Sequence, residues 1–330
     1  MISVIVVTYN QERTIGRTLD SILGQECHVP VEIVIGEDGS TDGTLAVCQT
    51  YAERFPDSIR ILSNKVNKGI VDNYFDCLLA CKGEYIADCA GDDFWIDPHK
   101  LEKEVKVMQA DENVTLVHTA WNYYDELTGV ATLAKTPYHH EYRTDGKKLL
   151  TSIIIQTRYP VIHLCTSLYR RDTIIRAYEE DESHFRNNDF GCEDLSISCA
   201  LAHAGTIVYL PEATLNYSVN HVSVSNAENE EKLFNFVKKV TTLSYSLTKK
   251  YNIAQQLPSV ASYFSYRIFA LAMHAFRAQN KTLRDEVKQL RVQWNARPTM
   301  AYRIVQAVMS NIITWKIALG IRAIVVKLKG

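Results

Sequence analysis

The sequence predicts an α/β protein with a doubly wound, mostly parallel β-sheet, followed by a helical C-terminal extension. Three observations support this. Short β-branched apolar runs alternate with amphipathic helical patterns in the first third of the chain, as in sheets built from right-handed crossovers. Clustered polar residues follow three of these runs, and residues 228–330 have a helical pattern with excess basic charge. We therefore divide the chain into an α/β domain, residues 1–226, and a basic, aromatic-rich helical region, residues 227–330.

The elements of the α/β domain can be placed in order from hydrophobic periodicity. The first strand is Ser3–Val7, and the first helix has Ile15, Leu19 and Ile22 on one face. A loop is expected from Trp121 to His140, and one long apolar helix over Ala301–Leu328. The further predicted strands are 31–35, 59–62, 85–89, 114–120, 161–169 and 207–210. One helix is expected after strand 31–35, and another after strand 59–62, ending at about residue 81. Two more helices are expected at 98–110 and 195–203.

Composition and charge limit the classes of protein. The net charge of −2 hides an asymmetry, because residues 241–330 contain 14 Lys and Arg against two acids. An acidic body with a basic tail indicates an anionic partner for the tail, either a membrane surface or the body itself. The 8 cysteines form no Cys-x-x-Cys pair, which favours a reducing compartment. No signal peptide and no run long enough to span a bilayer is evident, so we expect a cytoplasmic protein.

The three polar loops, Thr8–Glu12, Glu37–Thr44 and Ala90–Asp97, follow strands and should meet at one edge of the sheet, where open α/β sheets bind ligands. Tyr9 could stack on a nucleobase whose ring N–H binds Asp38. The adjacent carboxylates of Asp92 and Asp93 suit a cation or a sugar hydroxyl between them. The alternatives are an aromatic packing the sheet edge for Tyr9, a helix-capping turn at Asp38, and a solvated Gly-Asp turn. Dinucleotide binding is disfavoured, because no Gly-x-Gly-x-x-Gly motif is present.

A second acidic cluster ends with Glu193 and Asp194, directly before a predicted helix. Acids at a helix start are favoured by the helix dipole, so capping is one interpretation. The other is catalytic, because a positioned carboxylate can act as a general base that takes a proton from a reacting group.

Four motifs in order resemble family 2 of the glycosyltransferases, inverting enzymes with the GT-A fold. They are Ser3–Asn10 (SVIVVTYN), Glu37–Thr44 (EDGSTDGT), Asn67–Gly69 (NKG) and Gly91–Pro98 (GDDFWIDP). The resemblance covers about residues 1–225. It implies a nucleotide-sugar donor, a divalent metal, Mn²⁺ or Mg²⁺, and a single-displacement transfer of a sugar.

The resemblance also implies roles for individual residues. Asp194 would be the general base, and Asp92, Asp93 and His221 would serve the metal and diphosphate. Trp95 and Glu193 would lie on the acceptor side. The donor nucleotide would be bound by Thr8, Tyr9, Asn10, Glu12, Asp38, Asn67, Gly69 and Asp92.

The sequence departs from the family pattern at three positions. Ala90 stands where the first acid of the Asp-x-Asp motif is usual, so metal affinity rests on fewer ligands. Glu37 replaces a common Asp, and Val7 stands where proline is frequent. None of these changes removes a group that the chemistry requires.

The resemblance predicts a metal-dependent inverting glycosyltransferase that acts on a glycan or lipid-linked hydroxyl, with a UDP-sugar donor favoured. A sugar nucleotidyltransferase and a non-catalytic nucleotide-sugar-binding protein are the alternatives. The helical region could contact an anionic membrane, the catalytic body or a second copy of the chain in a homo-oligomer. No nucleic-acid partner is expected.

Overall fold

The computed structural model describes residues 1–134, 142–156, 162–219 and 229–329. The chain divides into two compact units, Met1–Asn220 and His221–Gly330. The first unit is a mixed β-sheet with helices packed on it. Its strands are β1 (Ile2–Thr8), β2 (Val31–Glu37), β3 (Ile59–Ser63), β4 (Tyr85–Asp88), β5 (Phe94–Trp95), β6 (Val114–Asp125), β7 (Val130–Leu133), β8 (Arg143–Asp145), β9 (Ser167–Arg170) and β10 (Thr206–Val219).

The helices of the first unit cover a sheet with the strand order β3-β2-β1-β4-β9-β6-β10-β5. The pairs of β1 with β2 and β4, of β2 with β3 and of β6 with β10 are parallel. Strand β9 is antiparallel to both β4 and β6, so the sheet is mixed near its centre. These helices are α1 (Ile15–Leu23), α2 (Thr44–Arg54), α3 (Ile70–Ala80), α4 (Lys100–Ala110), α5 (Gly146–Ile155), α6 (Arg171–Glu180), α7 (Glu182–Phe185) and α8 (Asp194–Ala204).

The core lies where the apolar faces of these helices meet the sheet. Ile15, Leu19 and Ile22 of α1 are all buried, as the spacing predicts, and so are Val4 and Val6 of β1. Burying one such aliphatic side chain stabilises the fold by about 1.5–3 kcal/mol. The carboxyl ends of β1, β2 and β4 share one edge, so the three polar loops emerge together.

Two element predictions in this unit were wrong in part. The expected strand 161–169 forms only from Ser167, where β9 begins, whereas Leu164–Thr166 is a turn of 3₁₀ helix and residue 161 lies outside the described residues. The hydroxyls of Thr166 and Ser167 donate to the carbonyl of His163, and such local bonds compete with a strand ladder. The first part of the loop expected from Trp121 to His140 is instead a hairpin, because β6 continues to Asp125 and pairs with β7, whereas residues 135–140 lie outside the described residues.

The second unit is helical. Asn229, Asn280 and Thr299 cap its helices α9 (Glu230–Lys250), α11 (Lys281–Gln293) and α12 (Met300–Ser310) through side-chain oxygens that accept from first-turn N–H groups. The remaining helices are α10 (Pro258–Arg277) and α13 (Ile312–Lys329).

The single helix expected over Ala301–Leu328 is broken. Asn311 has an extended backbone, and its side chain caps the next turn by accepting from the Ile313 N–H at 2.8 Å. The segments Met300–Ser310 and Ile312–Ile321 are bent by 117°. Among the described residues, no single helix has the length and hydropathy of a membrane span, although this bent pair does when its two helices are taken together.

Candidate active site

The paired acids Asp92 and Asp93 lie in the turn between β4 and β5, residues 89–93, which we call the acid turn. Two elements hold its backbone in place. From α1, the guanidinium of Arg17 donates to the carbonyl of Asp92 at 3.0 Å, and from β10, the hydroxyl of Ser218 donates to the same carbonyl at 2.6 Å. Arg17 also pairs with Glu126 at 2.5 Å. The two carboxylates are therefore presented by a fixed backbone.

Asp93 is suited to hold a cation. Its side chain is only 1 % exposed. One oxygen accepts from the Ser218 N–H at 2.9 Å, and Oδ2 has no hydrogen-bond partner among the described residues. Burial, and then the charge of Asp92, raise the pKa of Asp93 well above its ordinary value, and burial also raises the pKa of Asp92. Because a buried unpaired charge is costly, a bound divalent cation would stabilise both carboxylates.

Asp38, at the end of β2, is engaged with its own chain. It is buried and accepts hydrogen bonds from Asn64 Nδ2 at 3.0 Å and from the backbone N–H groups of Lys68 and Gly69, each at 2.9 Å. These bonds shape the loop that includes Asn67. A carboxylate has about four acceptor positions, so one position remains for a ligand donor. Base recognition by Asp38 stays a prediction.

The loop after β1 contains one exposed aromatic and several residues that hold the site together. Tyr9 is 44 % exposed, which leaves a ring face open for stacking. Thr8 is buried, and its hydroxyl donates to Gln11 Oε1 at 2.8 Å. Asn10 Oδ1 accepts from the Thr41 N–H at 2.8 Å, and Glu12 Oε2 accepts from the Gly43 N–H at 2.8 Å. Asn10 and Glu12 thus connect the first two loops.

Asp194 begins α8 and lines the same cavity of about 230 Å³ as the acid turn, and we call this cavity the cleft. Burial raises the pKa of Asp194. Burial, and then the charge of Asp194, raise the pKa of Glu193 well above its ordinary value. The cleft is lined by Ile5, Val7, Ile70, Tyr74, Asp88, Cys89, Ala90, Asp92, Asp93, His163, Leu164, Cys165, Glu193, Asp194 and Tyr217.

Asp38 connects to the cleft through one residue, because the Gly69 that donates to it directly precedes Ile70 in the cleft wall. The structure therefore brings Asp92, Asp93, Glu193 and Asp194 together, with the Asp38 loop adjacent.

One of the predicted site residues lies in the core instead of the cleft. Trp95 is buried in β5, where its ring N–H donates to the carbonyl of Cys165 at 3.0 Å and the ammonium of Lys100 lies over its ring. The acceptor-side role predicted for Trp95 is not compatible with this core position. His221 lies outside the described residues.

Asp88, His163 and Tyr217 line the cleft but were not predicted as site residues from the sequence. Asp88 falls within an expected apolar strand, and His163 precedes the part of the expected strand 161–169 that forms. Burial lowers the pKa of His163 to about 4, so its imidazole is neutral. Its ring lies 4.7 Å from the ring of Tyr217, measured between centroids.

The model of Glycosyl transferase family 2 matches residues 3–176. The chain belongs to this family. An uncharacterized glycosyltransferase from Nostoc sp. is 32% identical over 240 residues, which are 70% of each chain. An uncharacterized protein of Mycobacterium tuberculosis is 40% identical over 114 residues. That match is 34% of this chain and 33% of the relative, so the chain spans about a third of the length of that mycobacterial protein.

Solved structures agree on the fold of this family 2 chain. Staphylococcus aureus TarS 1–349 in complex with UDP-GlcNAc has a TM-score of 0.55 at 18% identity, over 93% of this chain and 90% of that one. The mannosyltransferase PcManGT of Pyrobaculum calidifontis, in complex with GDP-Man and Mn²⁺, has a TM-score of 0.54 at 16% identity, over 96% and 86%. The predicted GT-A fold is confirmed.

Proposed function

We propose that this chain is a metal-dependent inverting glycosyltransferase that uses a nucleotide-diphosphate sugar. The observation that carries the proposal is the cleft, which is lined both by the acid turn and by a separate carboxylate, Asp194. Single displacement needs this arrangement, because the leaving diphosphate and the attacking hydroxyl lie on opposite sides of the anomeric carbon. Family membership supports the reaction class.

The nucleotide would lie at the open loop edge, on Tyr9 and beside Asp38. The cleft holds about 230 Å³, less than the roughly 300 Å³ at which pockets for whole ligands begin. A sugar and part of the diphosphate would therefore occupy the cleft, while the base remains outside it. Asp38 can accept from the ring N–H of uracil, which favours a UDP-sugar.

Asp92 and Asp93 fit a divalent cation, because their oxygens are hard ligands and Asp93 Oδ2 is buried without a partner among the described residues. A bound Mn²⁺ or Mg²⁺ acts as a Lewis acid that stabilises charge on the leaving diphosphate. The complex of PcManGT with Mn²⁺ is consistent with this. Ser218 and Arg17 keep the two carboxylates in position.

Asp194 would act as the general base. It takes the proton of the acceptor hydroxyl while that oxygen bonds to the anomeric carbon, and the bond from carbon to the diphosphate oxygen breaks with its electron pair. Burial raises the pKa of Asp194, which moves a carboxylate towards the range where a base works well near neutral pH. The acceptor would be a hydroxyl of a glycan or a lipid-linked glycan.

A panel of nucleotide sugars tests the proposed function. The melting temperature of the protein is expected to rise with UDP-glucose, UDP-galactose, UDP-GlcNAc or GDP-mannose when Mn²⁺ is present, because a ligand that binds only the folded state stabilises it. The stabilised sample should slowly release nucleoside diphosphate, with water as the acceptor. Without a shift for any of these compounds, and without release, the proposed function would be rejected.

We further propose that α13 contacts an anionic membrane surface. Ile313, Ile317 and Ile321 are exposed at helical spacing on one side of α13, while Trp315 is buried on the other side and donates to the carbonyl of Phe276. Residues 287–330 contain eight Lys and Arg and no acid. An apolar stripe among basic residues fits the interface of an anionic leaflet.

The membrane contact can be tested by flotation with liposomes of phosphatidylglycerol and phosphatidylcholine. We expect the wild type to float and the variant with Ile313, Ile317 and Ile321 all changed to Ser to remain at the bottom. Each substitution removes apolar side-chain area that the lipid interface would otherwise bury. Leu127→Ser, an exposed apolar residue of the first unit, is the control and should float. Equal flotation of the triple variant, or an apolar stripe that instead mediates a dimer in size-exclusion chromatography, would contradict the proposal.

A further inference from the structure

Asp88 is a fifth carboxylate of the cleft. The proposed function assigns it neither the role of the base nor that of a metal ligand. It is the last residue of β4, where it pairs in register with Ile5 of β1. Its side chain is only 5 % exposed, yet it lines the cleft together with the acid turn and Asp194. It thus forms part of the floor of the cavity.

Asp88 has more acceptor positions than its neighbours have donors. Burial raises the pKa of Asp88 to about 7, hydrogen bonds from the hydroxyls of Tyr169 and Tyr74 lower it, and the charge of Asp194 raises it. Those two hydroxyls are also hydrogen-bonded to each other, so only one of their two protons is left for Asp88. Among the described residues, no donor reaches either carboxylate oxygen with full hydrogen-bond geometry. Because a carboxylate has about four acceptor positions, and a buried acceptor without a donor costs stability, the remaining positions of Asp88 point to a ligand.

We propose that Asp88 binds a hydroxyl of the transferred sugar and so contributes to sugar specificity. This inference rests on the proposed function. A carboxylate accepts hydrogen bonds from hydroxyls, and the apolar walls of Ile5, Ile70 and Leu164 suit the carbon face of a sugar ring. The short side chain of Ala90 adds no carboxylate and little bulk between Asp88 and Asp92.

The cleft geometry favours a sugar over the nucleotide as the ligand of Asp88. The base and ribose would lie at the loops after β1 and β2, whereas Asp88 shares its wall with Glu193 and Asp194. In the proposed reaction the anomeric carbon lies next to Asp194. The part of the donor that lies beside Asp194 and Asp88 would therefore be the sugar. The leaving diphosphate would lie at Asp92 and Asp93.

Substitutions of Asp88 separate sugar binding from nucleotide binding. For the nucleotide sugar that gives the largest shift in the panel, Asp88→Leu should weaken binding by about 10- to 100-fold, the effect of losing a hydrogen bond to a charged acceptor. Binding of the matching nucleoside diphosphate with Mn²⁺ should not change. Asp88→Asn keeps one acceptor oxygen and should fall between. Glu84→Gln, an exposed acid just before β4, is the control.

Discrimination between epimeric donors distinguishes sugar binding by Asp88 from a purely structural role, because a structural role would not change it. The wild type should distinguish UDP-glucose from UDP-galactose, or GDP-mannose from GDP-glucose, more strongly than Asp88→Leu does. Unchanged sugar-nucleotide affinity and selectivity in Asp88→Leu would overturn the inference. Equal losses for the nucleoside diphosphate and the nucleotide sugar would also overturn it, in favour of a phosphate or metal role. If the wild type binds none of the donors, the proposed function fails instead. Asp88→Asn decides the matter if the leucine variant does not fold.

Discussion

Replacing Asp194 by Asn is expected to slow sugar transfer by about 10²- to 10⁴-fold, the usual contribution of a general base. The amide has nearly the shape of the carboxylate but cannot take the acceptor proton. Donor binding should persist, because the nucleotide and diphosphate would contact the loop edge and the acid turn. The measurement is the release of nucleoside diphosphate under saturating donor, together with the donor Kd.

Asp189→Asn is the matched control for this substitution. Asp189 is an exposed acid five residues earlier in the same segment, so its loss changes the charge without changing the cleft, and activity should stay at the wild-type level. Full turnover by Asp194→Asn would contradict the assignment of the base. Glu193→Gln then identifies whether the neighbouring carboxylate carries the proton instead.

Replacing Asp93 by Asn is expected to abolish the part of donor binding that depends on Mn²⁺. Asp93 would supply a buried anionic oxygen to the cation, and the amide is a much weaker ligand. The melting temperature of this variant should no longer rise when Mn²⁺ and the donor are added together. In EDTA the variant should be more stable than the wild type, because a buried carboxylate with an unpaired oxygen is removed.

Asp97→Asn provides a control of opposite sign for Asp93→Asn. Asp97 is only partly buried. Burial raises its pKa, but the hydrogen bonds from Lys103 and from the His99 N–H outweigh this effect and hold the pKa below its ordinary value. This substitution should keep the Mn²⁺ response and lower the stability slightly. A Mn²⁺ response in Asp93→Asn equal to that of the wild type would show that the acid turn does not hold the metal.

The site residues that could be predicted from the sequence were those that lie in a recognisable motif at the end of a strand or the start of a helix. The motif of Gly91, Asp92 and Asp93 lies at the end of a buried strand, and Asp194 at the start of a helix. The fold determines the rest. Asp88 reads as one polar residue in an apolar strand, and its access to the cleft depends on the distant elements α3 and α8, so its sequence neighbours could not reveal it.

Other predictions failed because tertiary contacts decide them. Trp95, adjacent to the paired acids, has the composition of a binding-site aromatic, but the two-residue pairing of β5 with β10 places it in the core. The long apolar pattern after Ala301 continues across Asn311. Helical periodicity therefore could not show that this one residue is extended and separates α12 from α13.

The most direct test of the central claim is a crystal structure of the protein with Mn²⁺ and the nucleotide sugar that stabilises it most. We expect the metal-bound diphosphate at Asp92 and Asp93, the sugar inside the cleft, and its anomeric carbon between the diphosphate and the side of Asp194. A nucleotide sugar bound without contact to any of these three aspartates would contradict the account.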